Sequence, residues 1–159
     1  MTSSDQKETE KQQDAAASSG TYSAGCHCGY IKFKFTLSPS LDEYKVMQCN
    51  CSGCTRFGYL LAYPEAKDVI WENGGRERCS NYRFNTKQKD QMFCPKCGAS
   101  LGIDFREVFT PHRYGISVRT IYGIDLDKLV YKKGDGLQNL KPAGDLSGQY
   151  WDEERQEMK

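Results

Sequence analysis

Cys49-Asn50-Cys51-Ser52-Gly53-Cys54 places three thiols within six residues. In this C-x-C-x-x-C spacing the small intervening residues let the backbone fold back around one soft metal ion. Three sulfurs on a zinc ion leave its fourth tetrahedral position open, which separates a reactive site from a closed structural one. Three thiolates also give the centre a net negative charge, so it polarises water less than a site of neutral imidazoles does, and hydrolysis is not the expected reaction. A thiol entering the vacancy, by contrast, loses its proton and stays nucleophilic at neutral pH. The triplet therefore predicts formation or scission of a carbon–sulfur bond, with a small thiol and an electrophilic small molecule as partners.

The remaining cysteines strengthen the case for metal. Cys26-His27-Cys28-Gly29 and Cys94-Pro95-Lys96-Cys97-Gly98 are two knuckle-like pairs, each followed by the glycine that a sulfur-aiming turn requires. Together they make a four-thiolate structural zinc site, so the expectation is two zinc ions per chain and seven of the eight cysteines used. Joining the pairs closes a loop of 65 intervening residues, at a cost on the order of 4 kcal/mol. Structural zinc contributes roughly 10 to 16 kcal/mol and offsets it. An alternative grouping adds Cys79 to the triplet and closes it. Cys79 has no neighbouring ligand and no glycine turn, so a small buried apolar role is the plainer reading.

Polar neighbours of the triplet suggest further roles. Arg56 follows Cys54 by two residues and is the candidate to pair with a substrate carboxylate. Ser52 and Thr55 are expected to donate hydrogen bonds to the cluster sulfurs. His27 points away if both flanking sulfurs face an ion. His112 is the other imidazole of the chain, in a loop with Pro111, where a solvated residue is the ordinary outcome. Tyr59, Tyr63 and Tyr82 serve either a core or a small-molecule pocket.

These residues must be positioned by a mostly β scaffold. Ile31, Phe33, Phe35 and Leu37 alternate with polar residues, the period of a half-buried strand. Tyr44 to Gln48 is a second strand that delivers the chain into the triplet, placing its ligands at a strand end and in the following loop. Further strands are expected over 58–63, 68–71, 101–105 and 114–120, with weaker ones at 79–84 and 91–93, and a short helical turn capped by Asp125 over 124–129. The fold class is mainly β, two stacked and mostly antiparallel sheets. Residues 1–20 have no aromatic or branched aliphatic side chain and read as a disordered tail, 21–143 as the zinc-binding domain, and 144–159 as an acidic tail with at most a short helix.

Composition narrows the function classes. With 22 basic and 21 acidic residues the net charge is +1, which provides no general field for nucleic acid or an anionic membrane. No apolar run is long enough to span a bilayer. No basic segment followed by an apolar stretch opens the chain, so a reducing, cytoplasmic setting is expected, where clustered thiols bind metal rather than pair as disulfides.

In order and at compatible distances, Cys26-His27-Cys28-Gly29, Cys49-x-Cys51-x-x-Cys54 and Phe93-Cys94-x-x-Cys97-Gly98 resemble the motifs of the glutathione-dependent formaldehyde-activating enzyme and centromere protein V family. The likeness runs from about Thr21 to Leu129. It implies an Mss4-like zinc fold and a carbon–sulfur lyase that uses glutathione as co-substrate. It also implies a structural zinc on the residues matching Cys26, Cys28, Cys94 and Cys97, and a labile catalytic zinc on those matching Cys49, Cys51 and Cys54. One departure stands out: the family pattern has a basic residue directly after the third cysteine, whereas here Thr55 precedes Arg56, implying a rebuilt pocket wall. Two rival readings are a non-catalytic, zinc-scaffolded protein-binding module, which the centromere protein V likeness allows, and a redox sensor that releases zinc on oxidation.

Overall fold

The computed structural model describes residues 17–152 and 154–158. The expected disorder of 1–20 falls largely outside the described residues. Within them, order begins before Thr21: Ser18 donates its hydroxyl to Glu43 Oε1 at 2.9 Å, and its carbonyl accepts the Ser40 N–H at 3.0 Å.

Strand β1 (Gly20–Gly25) pairs antiparallel with β2 (Lys32–Leu37), and β2 with β5 (Val69–Trp71), forming a three-stranded sheet. The alternation read from sequence is realised in β2, where Phe33 and Phe35 are fully buried while Lys32 and Lys34 face solvent. Each such phenylalanine stabilises the fold by about 1.5–3 kcal/mol.

The larger sheet has seven strands: β3 (Lys45–Cys49), β4 (Leu61–Ala62), β6 (Ser80–Tyr82), β7 (Asp90–Phe93), β8 (Ser100–Asp104), β9 (Tyr114–Ser117) and β10 (Val130–Gly134). Their spatial order is β10-β3-β4-β9-β8-β7-β6. All pairings are antiparallel except β10 with β3. Phe33 and Phe35 from the small sheet and Met92, Leu101 and Ile116 from the large one share one buried core, so the two sheets stack as expected for a mainly β fold. Gly102 permits the β8–β9 approach, because a Cβ there would stand 2.0 Å from the Gly115 carbonyl oxygen.

Several elements depart from the sequence reading. Residues 118–120 leave β9 as a single 3-10 turn, and the expected strand over 58–63 is paired only at Leu61–Ala62. The loop after Cys49 contains a short helix, α1 (Ser52–Phe57), and further turns form α2 (Gly75–Arg78) and α3 (Gly136–Asn139). Strand β10 was not legible, since Val130–Gly134 reads VYKKG with no buried face. In place of a helix after Leu146, the described tail pairs β11 (Trp151–Asp152) with β12 (Glu157–Met158). The turn over Leu126–Lys128 is capped by Asp125 as expected, its carboxylate accepting the Asp127 N–H at 3.2 Å.

Candidate metal centres and the cleft beside them

The two knuckles converge. Cys26, Cys28, Cys94 and Cys97 place their sulfurs within 4.8 Å of one another. Cys28 Sγ lies 3.7 Å from Cys26 Sγ and 3.8 Å from Cys94 Sγ. A tetrahedral zinc with Zn–S bonds of about 2.3 Å has sulfur–sulfur edges of about 3.8 Å, so these residues fit the ion. Each knuckle turns through a left-handed glycine, Gly29 at φ 77° and Gly98 at φ 74°. The Gly29 N–H closes on the Cys26 carbonyl at 3.2 Å, and the Gly98 N–H on the Cys94 carbonyl at 2.8 Å. The Ile31 N–H donates to Cys26 Sγ at 3.2 Å, supporting a thiolate there. His27 is exposed and outside the group.

Cys49, Cys51 and Cys54 form the second cluster, also within 4.8 Å. Cys49 ends β3, and Cys51 caps α1, its sulfur accepting the Cys54 N–H at 3.4 Å. Cys54 is buried inside the helix. The helix turns the third sulfur back towards the first two, and Gly58 at φ 66° ends it. A hydrogen bond from the Cys54 thiol, with N–H groups of Cys54 and Gly53, brings Cys51 down to about 5 against the effect of burial; the same exchange and burial push Cys54 far up. Three crowded sulfurs that share protons in this way suit a divalent cation. Among the described residues no fourth Cys, His, Asp or Glu joins them.

Cys79 does not close this cluster. It is buried, its thiol donates to the Gly75 carbonyl at 3.4 Å, and its charged neighbours are Arg76 and the sulfurs of Cys94 and Cys26. Burial pushes it up to about 11, consistent with an inert packing thiol.

What holds the triplet was mostly invisible in the sequence. Cys49 stands opposite Gly134 in the parallel β3–β10 register, so α3 lies directly beside the sulfurs. Asn50 fastens the two segments: its N–H donates to the Gly134 carbonyl at 3.0 Å, its Nδ2 donates to Asp135 Oδ1 at 3.0 Å, and its Oδ1 accepts the Leu137 N–H at 3.1 Å. Thr55 Oγ1 donates to the Asn50 carbonyl at 3.3 Å rather than to a cluster sulfur as expected. Gly136 is packed so tightly that a Cβ would stand 2.6 Å from Cys49 Sγ.

The three cysteines form part of the wall of a cleft of about 380 Å³. Met47, Leu61, Tyr63, Ile103, Phe105 and Phe109 also line it. Tyr63 and Phe109 pack on Phe105 at 5.9 and 4.9 Å between ring centres. Among the described residues one cation lines the cleft, Lys89, with Nζ 5.5 Å from the Phe105 ring centre. A smaller recess continues past Cys51 and Lys89 to Asn85, Thr86 and Lys141.

Arg56, the sequence candidate for the substrate carboxylate, lies elsewhere. On the far side of α1 it donates through Nη2 to Ser147 Oγ at 3.0 Å, in a shallow surface depression with Tyr82 and Leu146. A basic residue two positions after a helical cysteine is rotated away from the face that carries the sulfur. Of the three tyrosines considered, Tyr63 lines the cleft, Tyr59 is a core residue donating to the Gly102 carbonyl at 3.0 Å, and Tyr82 is exposed. His112 is bonded through Nε2 to Asp104 at 2.7 Å and does not line the cleft.

Residues 21–124 match the glutathione-dependent formaldehyde-activating enzyme family, and the chain belongs to that family. It is also similar to the crystal structure of a Rhodobacter sphaeroides protein, with a TM-score of 0.59 and 26% identity over 70% of this chain and 98% of that one. Among the described residues no helix is long and apolar enough to cross a membrane.

Proposed function

We propose that the protein makes or breaks a carbon–sulfur bond between a small thiol, glutathione in the first instance, and an aldehyde carbon, as a lyase of the reducing cytoplasm. The observation carrying this reading is the Cys49–Cys51–Cys54 cluster, which opens on a cleft and has no fourth protein ligand among the described residues. A zinc ion held there would supply a vacant position that favours a thiolate over a thiol. Cys26, Cys28, Cys94 and Cys97 would hold a second, closed zinc whose role is folding.

The chain's own residues do the remaining work. Lys89 is the cation placed to receive a carboxylate of the thiol, the part first assigned to Arg56. Tyr63 offers a hydroxyl donor on the wall, where burial holds it protonated. The Phe105–Phe109 side keeps water from the reacting carbon.

Metal analysis tests the reading. Two zinc ions per chain are expected, one removed readily by a chelator and one only on unfolding. Cobalt placed in the labile site should change its visible spectrum when glutathione is added. A spectrum indifferent to glutathione, together with full activity of Cys51→Ala, would refute the proposal.

A further inference from the structure

The cleft is far larger than the smallest aldehyde requires. Formaldehyde has two heavy atoms, whereas the cleft has a volume of about 380 Å³. The surplus is mostly apolar: Met47, Leu61, Tyr63, Ile103, Phe105 and Phe109 line it, with Gln91, Asp135 and Asn139 among its polar residues. The adjoining recess shares Cys51 and Lys89 with it and adds Asn85, Thr86 and Lys141 beside Pro142 and Leu146.

Glutathione carries two carboxylates and an ammonium group, and each would be costly to bury without a partner. Among its lining residues the cleft offers the two carboxylates one cation, Lys89, and sets Asp135 against them, whereas the adjoining recess adds a second lysine and two polar side chains. The tripeptide's charged ends therefore belong towards the recess, which leaves the Tyr63, Phe105 and Phe109 lining to the carbon partner. Phe109 is 44% exposed and packs on Phe105 at 4.9 Å between ring centres, so a ligand in the cleft can reach its ring.

We infer that the physiological electrophile is an aldehyde with an extended apolar body, a medium-chain or aromatic one, seated against Tyr63, Phe105 and Phe109. This rests on the thiol–aldehyde reading above. The step balances without a further reagent: a sulfur lone pair forms the S–C bond, the C=O π pair moves to oxygen, and the thiol proton ends on that oxygen. The product is a hemithioacetal with an apolar substituent, and the reverse step releases the same two reactants.

Binding of unreactive conjugates to the zinc-loaded protein, followed by calorimetry, separates the possibilities. A methylene group in an apolar pocket is worth about tenfold or more. S-hexylglutathione should therefore bind at least about tenfold more tightly than S-methylglutathione. Phe109→Ser, at a half-exposed position that folding tolerates, should erase most of that difference, and Phe109→Leu should restore it. Turnover should follow, with a higher kcat/KM for hexanal or benzaldehyde than for formaldehyde. Equal binding of the two conjugates would overturn the inference and leave the thiol reading intact. Failure of both conjugates and of glutathione to bind would overturn both.

Discussion

Replacing Gly136 by alanine isolates the contact between α3 and the cysteine triplet. The new Cβ would stand 2.6 Å from Cys49 Sγ, 2.7 Å from Cys51 Cβ and 3.1 Å from Leu140 Cδ1. Ordinary non-bonded contacts lie at about 3.5–4.0 Å, so the Cys49 sulfur or the helix must retreat by roughly 1 Å. Overpacking of this kind costs about 1–3 kcal/mol, and the gain from exchanging glycine for alanine in a helix, about 1 kcal/mol, offsets part of it. Global stability should thus fall by no more than about 2 kcal/mol. The labile ion should suffer more, because a ligand displaced by this much no longer meets its bond length. Disturbing the residues that orient metal ligands typically costs 10- to 100-fold in affinity, and we expect that range here.

The measurement is a competitive titration of the second zinc with a chromophoric chelator, run beside a thermal melt. Gly53→Ala is the control, since its Cβ would come no nearer than 3.4 Å to a neighbour, Phe84 Cζ, with Phe57 Cε2 at 3.8 Å, while the backbone N–H supporting Cys51 remains. A Gly136→Ala protein that holds its second zinc as tightly as Gly53→Ala does would refute the argument that α3 sets the position of the sulfurs.

Three other outcomes follow from the same geometry. Lys89→Met should raise the KM for glutathione by about tenfold, given that a hydrogen bond to a charged group contributes about 1.5–3 kcal/mol, while Arg56→Met should change it less than about twofold; steady-state kinetics with the two variants side by side decides between them. Gly98→Ala places a Cβ where nothing lies within 4 Å but φ is 74°, so its cost is backbone strain alone, about 1–2 kcal/mol in urea denaturation. Asp104→Asn removes the partner of Arg76, bonded at 2.8 Å, and of His112 at 2.7 Å, and should cost about 3 kcal/mol because Arg76 retains Asp90. Burial alone would raise the Asp104 carboxyl, yet His112, the Arg106 N–H and Arg76 hold it below its ordinary value. Its contribution is therefore complete above the usual carboxylate range and lost as pH falls through the depressed value. The difference in urea midpoint between wild type and Asp104→Asn should stay flat from about pH 7 to 5 and shrink below about pH 4.

The strands with one apolar face were legible because burial imposes a period of two, as Phe33 and Phe35 illustrate. The cysteine clusters were legible for a related reason: a metal fixes ligand spacing over a few residues, and left-handed glycines at 29 and 98 mark the turns. The short helix α1 was not, since six residues are too few to display a helical period. That omission misplaced Arg56, because a loop would have allowed it to face the sulfurs and a helix does not.

Strand β10 and its consequences show a harder limit. Val130–Gly134 has no fully buried residue; the parallel ladder to β3 holds it, with Tyr131 alone packed against the core. Nothing within those residues distinguishes them from a polar loop. Yet this pairing brings Gly134, Asp135 and Gly136 against Asn50 and Cys49, across more than 80 residues of sequence. The environment of the triplet is thus built by contacts whose sequence signal lies in neither partner alone. The same holds for the cleft, where Lys89 lies over Phe105 and Phe105 packs on Tyr63 only because β7, β8, β9 and β4 lie side by side. Ligand identity is a local property and can be read from a motif, whereas the choice of what approaches the metal is a property of the sheet order. On the proposed function, a chain can retain all seven clustered cysteines while its preferred carbon partner changes with substitutions at Lys89, Phe105 or Phe109.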